Sequence, residues 1–298
     1  MAQRLLDQVA EVVAGKIEDL TPLVRQVLEE SSRQVAARVQ RATYDADRAD
    51  RAISQSQRPI REVQAAFRRQ RGMNPRWLKG LDRGRLDDRR LWKVPVSHTG
   101  YFKRRDATGI PHLALGLLLD VSGSMRKSMD IVWQTAAVFS QGLTQIPGIN
   151  FAFLGYTGEG GKVALTRICD RQFPRLCLAG VEQGRETPSG AAIAAMKVLM
   201  ERMPEKRRLL IHFTDGRADN AAHLSKAMEA CQRAGIGVYT IGLAEHSRML
   251  SRQFGERNYE AIQKLAELPQ AVARIVQRLD LPQSSVSNWR RVAVGLSA

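Results

Sequence analysis

From residue 112 onward, continuous apolar runs alternate with stretches of helical periodicity. The first run is Leu113–Leu119, and similar runs follow at 150–156, 209–213 and 237–241. Runs of this kind are typical of strands buried on both faces, and their alternation with helices indicates βαβ units. The helical patterns are at 129–143, 189–203 and 221–234, and a short strand at 259–262 and a helix at 269–279 end the series. The pattern predicts an α/β domain over residues 111–280, a doubly wound, mostly parallel sheet with helices on both faces.

The N-terminal part of the chain has a different pattern. Apolar residues from Leu6 to Val27 recur at steps of three and four, which predicts one apolar stripe along helix. Thr21 and Pro22 fit an N-cap followed by proline, so a second helix is expected to begin there and to continue through Val39. Because the stripe would otherwise face water, residues 2–39 are expected to form a helical hairpin docked on the α/β domain or on another copy of the chain.

The segments around the α/β domain carry weaker signals. Residues 41–58 are polar and alternate in charge, which fits either a solvent-exposed helix or a linker, and a third helix is expected at 60–70. Residues 1–71 are therefore interpreted as an α-helical arm. Residues 72–110 contain Gly, Pro and Trp with little periodicity, which indicates an irregular connector. Residues 281–298 are interpreted as a mobile tail.

Composition and charge narrow the function classes. The chain has 298 residues, 44% of them hydrophobic, and its 46 Lys and Arg against 30 Asp and Glu give a net charge of +16. Such a charge attracts anions, but the excess is spread over the chain and no nucleic-acid-binding motif accompanies it. Association with nucleic acid is therefore an alternative that rests on charge alone.

The sequence predicts a cytoplasmic protein without a membrane segment. No apolar run approaches the roughly 20 residues that cross a bilayer, and the N-terminus lacks the basic and apolar regions of a signal peptide. The cysteines, Cys169, Cys177 and Cys231, form no CxxC pair, which fits a reducing compartment and argues against zinc ligation by cysteine.

Short oxygen-bearing side chains follow two of the predicted strands. The first strand ends in Asp120-Val121-Ser122-Gly123-Ser124, a DxSxS motif, and another ends in Thr214-Asp215-Gly216. Between them, Thr187-Pro188-Ser189-Gly190 precedes a helix. Since ligands of open α/β sheets bind at the carboxyl ends of the strands, these oxygens are expected to converge there and to suit Mg²⁺ or Mn²⁺. The predicted metal ligands are Asp120, Ser122, Ser124, Thr187 and Asp215.

This set of motifs resembles the metal-ion-dependent adhesion site of von Willebrand factor A (VWA) domains, over roughly residues 110–280. The resemblance implies a Rossmann-like fold, in which the metal site lacks one ligand and a partner's Asp or Glu completes it. It also implies binding rather than turnover, and no nucleophile–base pair is evident in the sequence. His112 and His212 are interpreted as structural, and His246 has no identified partner. The chain is therefore not expected to be catalytic alone.

Flanking segments resemble one group of VWA proteins. Residues 77–87 and 102–106 are similar to the VWA subunit of the aerobic cobalt chelatase. Residues 233–241, Phe254-Gly255 and Leu268-Pro269 are similar to the nitric-oxide-reductase activation protein and to the related Rubisco-activating VWA protein. Members of this group work with a hexameric AAA+ ATPase of the MoxR class. This chain has no GxxxxGK[ST] motif, which is consistent with a separate ATPase.

The resemblance implies a Mg²⁺-dependent adaptor that couples a MoxR-class ATPase to a client protein. The alternative is a non-catalytic subunit of an ATP-dependent cobalt or magnesium chelatase-like complex. The chelatase subunit is longer, with an acidic stretch before its VWA domain, whereas this chain has a short basic arm there. The adaptor is therefore the preferred interpretation, with its client unidentified.

Overall fold

A computed structural model describes residues 37–69, 77–93, 100–105, 113–160, 162–181, 183–216, 218–243 and 247–279. Within them, one sheet contains seven strands: β1 Ala37–Arg41, β5 Leu113–Asp120, β6 Ile149–Glu159, β7 Lys162–Asp170, β8 Arg207–Thr214, β9 Ile236–Leu243 and β10 Tyr259–Ile262. Their order in the sheet is β1-β7-β6-β5-β8-β9-β10. Strands β5, β6, β8, β9 and β10 are mutually parallel, while β7 returns antiparallel beside β6 and pairs in parallel with the edge strand β1.

Helices cover both faces of the sheet, as the alternating pattern predicts. The helices are α1 Ala46–Ser54, α2 Gln57–Arg68, α3 Met129–Thr144, α4 Ser189–Glu201, α5 Ala221–Arg233, α6 Ser247–Phe254 and α7 Leu268–Arg278. One hydrophobic core lies under α2, α3 and α7, and a second lies under α4, α5 and α6. Every residue of β5 is buried, because this central strand is packed from both sides.

The region interpreted as a helical arm differs from that expectation. Residues 1–36, which carry most of the proposed hairpin, lie outside the described residues. Ala37–Arg41 forms strand β1, where helix was predicted, and pairs with β7 in register from Ala37 opposite Val163. Helix α2 then buries Val63 and Phe67 completely in the core under α3 and α7. Residues 37–68 are therefore an integral part of the α/β fold.

The segment interpreted as an irregular connector contains a small antiparallel sheet. Its strands are β2 Trp77–Leu81, β3 Arg85–Leu86 and β4 Phe102–Arg105, in the order β2-β4-β3. Asp87 is buried there, and its carboxylate lies 3.5 Å from Lys103 Nζ and 3.9 Å from Arg90 Nε. Asp87 follows β3 and Lys103 belongs to β4, so this charged contact links the two neighbouring strands.

Two further expectations concern the ends and the compartment. The tail at 281–298 lies outside the described residues. In the part of the chain that the structure describes, no helix combines the length and the apolar character needed to cross a membrane.

Candidate metal centre

The carboxyl end of β5 places Asp120 at the floor of the candidate site. Its side chain is fully buried, and it accepts hydrogen bonds from the Ser122 backbone N–H (2.9 Å) and the Thr214 hydroxyl (2.5 Å). Thr214 ends β8, the neighbouring parallel strand, so the two strand ends are joined directly. The carboxylate is therefore held in one orientation by the backbone that follows it.

Three more predicted ligands form a continuous chain of oxygens above Asp120. The hydroxyls of Ser122 and Ser124 are 3.1 Å apart, and Ser124 Oγ donates to Asp215 Oδ1 at 2.8 Å. Ser122 is buried and Ser124 is exposed, so the chain runs from the interior to the surface. The site consequently opens to solvent on the side of Ser124 and Asp215.

The loop that carries Thr187 is fixed against the same strand ends. The Gly184 carbonyl accepts from the Gly123 N–H at 2.7 Å, and Gly184 N–H donates to Thr157 Oγ1 at 2.9 Å. A side chain cannot fit at Gly184, because a Cβ there would overlap the Gly158 carbonyl. These contacts bring Thr187 to the site. A Cβ atom built on Gly216 would lie 3.9 Å from the Thr187 hydroxyl oxygen and 3.7 Å from the Ser124 hydroxyl oxygen, so both hydroxyls border the same glycine.

The two carboxylates impose an electrostatic cost on each other. Burial, which is the largest cause, and the negative charge of Asp215 together raise the pKa of Asp120 to about 6, although the hydrogen bonds from Thr214 and Ser122 lower it. A site that keeps two carboxylates close together, one of them desolvated, is stabilised by a cation.

The donor set fits a small, hard divalent cation. In an octahedral shell with metal–oxygen distances of roughly 2.1 Å, neighbouring oxygens lie about 3.0 Å apart. The oxygen–oxygen distances from Ser122 to Ser124, 3.1 Å, and from Ser124 to Asp215, 2.8 Å, match that spacing. Among the described residues, no three His, Cys, Asp or Glu side chains are placed so that they could hold one metal ion together, so hydroxyls would have to complete the shell at Asp120 and Asp215. Carboxylate and hydroxyl oxygens are ligands for Mg²⁺ or Mn²⁺.

Residues 115–285, more than half of the chain, match the von Willebrand factor type A domain. The chain belongs to this family. The five predicted ligands all lie within the matched residues, at the edge of the VWA sheet where β5 and β8 end. The fold predicted for residues 111–280, an α/β sheet of mainly parallel strands with helices on both faces, is confirmed.

Curated relatives are distant and longer than this chain. Protein NorD of Brucella abortus (strain 2308) is 26% identical over 189 residues, which cover 56% of this chain and 30% of NorD. Protein NorD of Brucella suis biovar 1 (strain 1330) matches with the same identity and coverage. The aligned region thus accounts for about a third of the length of these relatives.

Solved structures with some similarity include two that hold a metal. Proximal thread matrix protein 1 from the mussel byssus, with zinc in its metal-ion-dependent adhesion site, has a TM-score of 0.44 at 12% identity and covers 56% of this chain and 46% of its own. Manganese-loaded Plasmodium vivax TRAP protein has a TM-score of 0.38 at 17% identity, covering 55% and 72% respectively.

A buried polar network lies beneath the candidate site of the VWA domain. The Tyr156 hydroxyl is hydrogen-bonded to Ser189 Oγ at 3.0 Å and to His212 Nε2 at 2.6 Å, and His212 Nδ1 lies 3.4 Å from Thr240 Oγ1. His212 is thus a satisfied structural histidine, as predicted from its place inside a strand. His112 and His246 lie outside the described residues.

The sequence did not reveal the supporting roles of Thr214 and Tyr156. Thr214 is the last residue of β8, and Tyr156 lies inside β6, so neither position carries a specific signal in the sequence. Thr214 fixes Asp120, and Tyr156 connects β6 to β8 through His212. The supporting roles of Thr214 and Tyr156 depend on which strands are neighbours in the sheet, and the local sequence does not predict that order.

The buried imidazole makes stability sensitive to acid. Burial lowers the pKa of His212 to about 3, whereas the unfolded chain takes up a proton near pH 6.5. Between these values the unfolded state binds more protons, so the contribution of neutral His212 is complete above pH 6.5 and declines as the pH falls. We expect the stability advantage of the native chain over His212→Gln to shrink by about 2 kcal/mol from pH 7 to pH 5.

Urea denaturation of both proteins at the two pH values measures this difference. Asp120 titrates in the opposite direction, since its raised pKa favours the folded state on acidification, but it is present in both proteins and cancels. A stability difference that stays constant between pH 7 and pH 5 would show that His212 is not held neutral by the fold.

Proposed function

We propose that this chain is a Mg²⁺-dependent VWA adaptor that couples a separate MoxR-class AAA+ ATPase to a client protein. The observation that carries the proposal is the convergence of Asp120, Ser122, Ser124 and Asp215 at one solvent-facing sheet edge, with Thr187 beside them. A nitric-oxide-reductase activation type of role is supported by the similarity to NorD.

The arrangement favours a protein carboxylate as the outer ligand. When bound, Mg²⁺ would attract a further anionic oxygen, because the chain supplies only two carboxylates and neutral hydroxyls. Asp120 is buried and fixed by Thr214 and Ser122, so it serves as an anchor on the floor. Ser124 and Asp215 face solvent and leave that side open to an Asp or Glu of a partner.

The proposal assigns the serine hydroxyls of the site to metal binding. Ser122 Oγ and Ser124 Oγ are hydrogen-bonded to each other, and Ser124 Oγ donates to the Asp215 carboxylate. His212 is in the layer below, bonded to Tyr156. The chemistry supplied by ATP is therefore assigned to a separate protein, consistent with the missing phosphate-binding loop in this sequence.

The test is metal-dependent capture of an AAA+ ATPase. Tagged full chain is used to recover partners from native lysate in Mg²⁺ and in EDTA, with ATPases identified by mass spectrometry. We expect a MoxR-class ATPase in Mg²⁺ and at least about tenfold less in EDTA or with Asp215→Asn. Glu229→Gln is the matched control, because it removes one negative charge from an exposed residue in the second half of α5 that is not a predicted ligand.

Two results would overturn the proposal. Equal recovery of the ATPase in Mg²⁺, in EDTA and with Asp215→Asn would show that the metal site is not the docking point. Recovery of no AAA+ ATPase under any condition, from a lysate in which such an ATPase is detected, would remove the coupling to this class of motor.

A further inference from the structure

A cleft of about 460 Å³ lies beside the candidate metal centre. It is bordered by α1, by the turn that follows the DxSxS motif and the start of α3, and by the loop around residue 181. Gln134 Nε2 donates to Gln55 Oε1 at 2.7 Å and ties α3 to the end of α1 along this border. The cleft is thus a built feature between packed elements, and its volume is in the range of ligand-binding clefts.

Its rim is strongly basic. Arg48, Arg51 and Arg126 line the cleft, and Asp130 is the acidic residue among the described residues that border it. Arg48 is positioned by donating from Nη1 to the Leu178 carbonyl at 3.0 Å. The Arg126 side chain is exposed and forms no hydrogen bond or ion pair with the part of the chain that the structure describes. These guanidinium groups favour carboxylates or other planar anions.

Part of the floor of the cleft is apolar. Met129 and Trp133, both about 8% exposed, and the half-buried Val181 contribute to the lining. A simple inorganic anion would leave this surface unused, whereas a peptide that carries both acidic and aliphatic side chains would cover the floor and pair with the rim. The combination of basic rim and apolar floor therefore matches an acidic, partly apolar protein segment.

The cleft and the metal site share a wall. Arg126 follows Ser124 by two residues in the same 3₁₀ turn, Gly123–Ser128. Gln183 borders the cleft, and the next residue, Gly184, accepts the hydrogen bond from Gly123. A segment that places a carboxylate at Ser124 and Asp215 could therefore continue into the cleft without leaving the surface.

We propose that this cleft binds an acidic segment of the protein partner and forms a second, metal-independent contact beside the metal site. The inference deepens the proposed function and rests on it for the identity of the partner. Carboxylates of the segment pair with Arg48, Arg51 and Arg126, and an aliphatic side chain packs on Trp133. The net positive charge of the chain would steer the segment toward the cleft.

The test uses a defined peptide and the full chain. A fluorescein-labelled peptide of repeated Glu-Glu-Leu-Gly is titrated in EDTA and in Mg²⁺ and followed by fluorescence polarisation. We expect saturable binding in EDTA, and at least about tenfold weaker binding with the double variant Arg51→Glu/Arg126→Glu. Lys226→Glu/Arg233→Glu is the matched control, because it makes the same charge change on exposed residues of α5, under the other face of the sheet.

Each comparison has a result that would overturn the inference. If the two double variants weakened peptide binding equally, the binding would depend on the net charge of the chain and not on this cleft. Equal binding of a Glu-Glu-Ser-Gly peptide would remove the role of the apolar floor. Complete displacement by polyuridylate at matched charge would assign the cleft to nucleic acid, and absence of binding would remove it as a peptide site. Peptide binding in EDTA, together with metal-independent recovery of the ATPase, would leave the cleft standing and overturn only the adaptor mechanism.

Discussion

Replacing Phe67 with alanine should lower the free energy of unfolding of the whole domain by about 3–5 kcal/mol. Phe67 is on α2, is fully buried, and meets Phe139 of α3 edge-on with ring centroids 6.5 Å apart. Removing the ring leaves a cavity among residues of α3 and α7 in one of the two main cores. The cost is large because those neighbours also support the sheet and cannot collapse freely.

Urea denaturation followed by far-UV circular dichroism measures the effect. Arg61→Ala on the same helix is the control, since Arg61 is exposed and its loss should change stability by no more than about 0.5 kcal/mol. An unchanged unfolding free energy for Phe67→Ala would mean that α2 is not part of the cooperative unit. The experiment thus decides whether residues before the matched VWA region belong to the folding domain.

The central sheet could be predicted because its strands are buried on both faces. The apolar runs at 113–119 and 209–213 fall within the strands Leu113–Asp120 and Arg207–Thr214, and the short strand at Tyr259–Ile262 has the predicted bounds. A parallel strand under two helical layers has no polar face, so its sequence reveals it without reference to its partners. The helices between the strands follow from the same alternation.

The edge strand β1 could not be predicted in the same way. Its sequence, Ala37-Arg-Val-Gln-Arg41, alternates apolar and polar residues over too short a stretch to be distinguished from the end of a helix. Its stabilising partner is remote: Gln40 Nε2 donates to Thr166 Oγ1 across a separation of 126 residues. A pairing of this kind is decided by tertiary structure, because only the folded β6–β7 hairpin offers the edge to which β1 adds.

The candidate site also combines residues that the sequence predicts with contacts that it does not predict. Asp120, Ser122 and Ser124 could be predicted as candidate ligands from the sequence. Their oxygen-bearing side chains follow a buried strand, and ligands of open α/β sheets bind at the edge where such strands end. Two other features could not be predicted from the sequence: the hydrogen bond between Thr214 and Asp120, and the cleft lined by arginines. Both depend on residues from separate elements: β8 lies beside β5, and α1 lies beside the DxSxS turn. Long-range packing therefore supplies the environment of the candidate site, whereas the sequence predicts its candidate ligands.

Mg²⁺ should raise the unfolding temperature of the native chain, and Asp215→Asn should remove most of that increase. A ligand at 100 times its dissociation constant stabilises the folded state by about 2.7 kcal/mol, and loss of a ligating carboxylate should weaken binding by more than about tenfold. In EDTA, by contrast, Asp215→Asn should be as stable as the native chain or more so. The reason is that the Asp215 carboxylate repels Asp120, which is already destabilised by burial.

Thermal unfolding in EDTA and in a series of Mg²⁺ concentrations gives both quantities from the same proteins. Glu229→Gln is the control for the loss of one negative charge, because Glu229 is exposed on α5 and the variant should leave the Mg²⁺ response intact. If Asp215 is a ligand, Asp215→Asn should leave the unfolding temperature unchanged or raise it in EDTA, but should lower it relative to the native chain in Mg²⁺. This difference between the two conditions distinguishes a ligand from a structural residue. A structural role would lower the unfolding temperature in both conditions, and an undiminished Mg²⁺ response would show that Asp215 does not hold the cation.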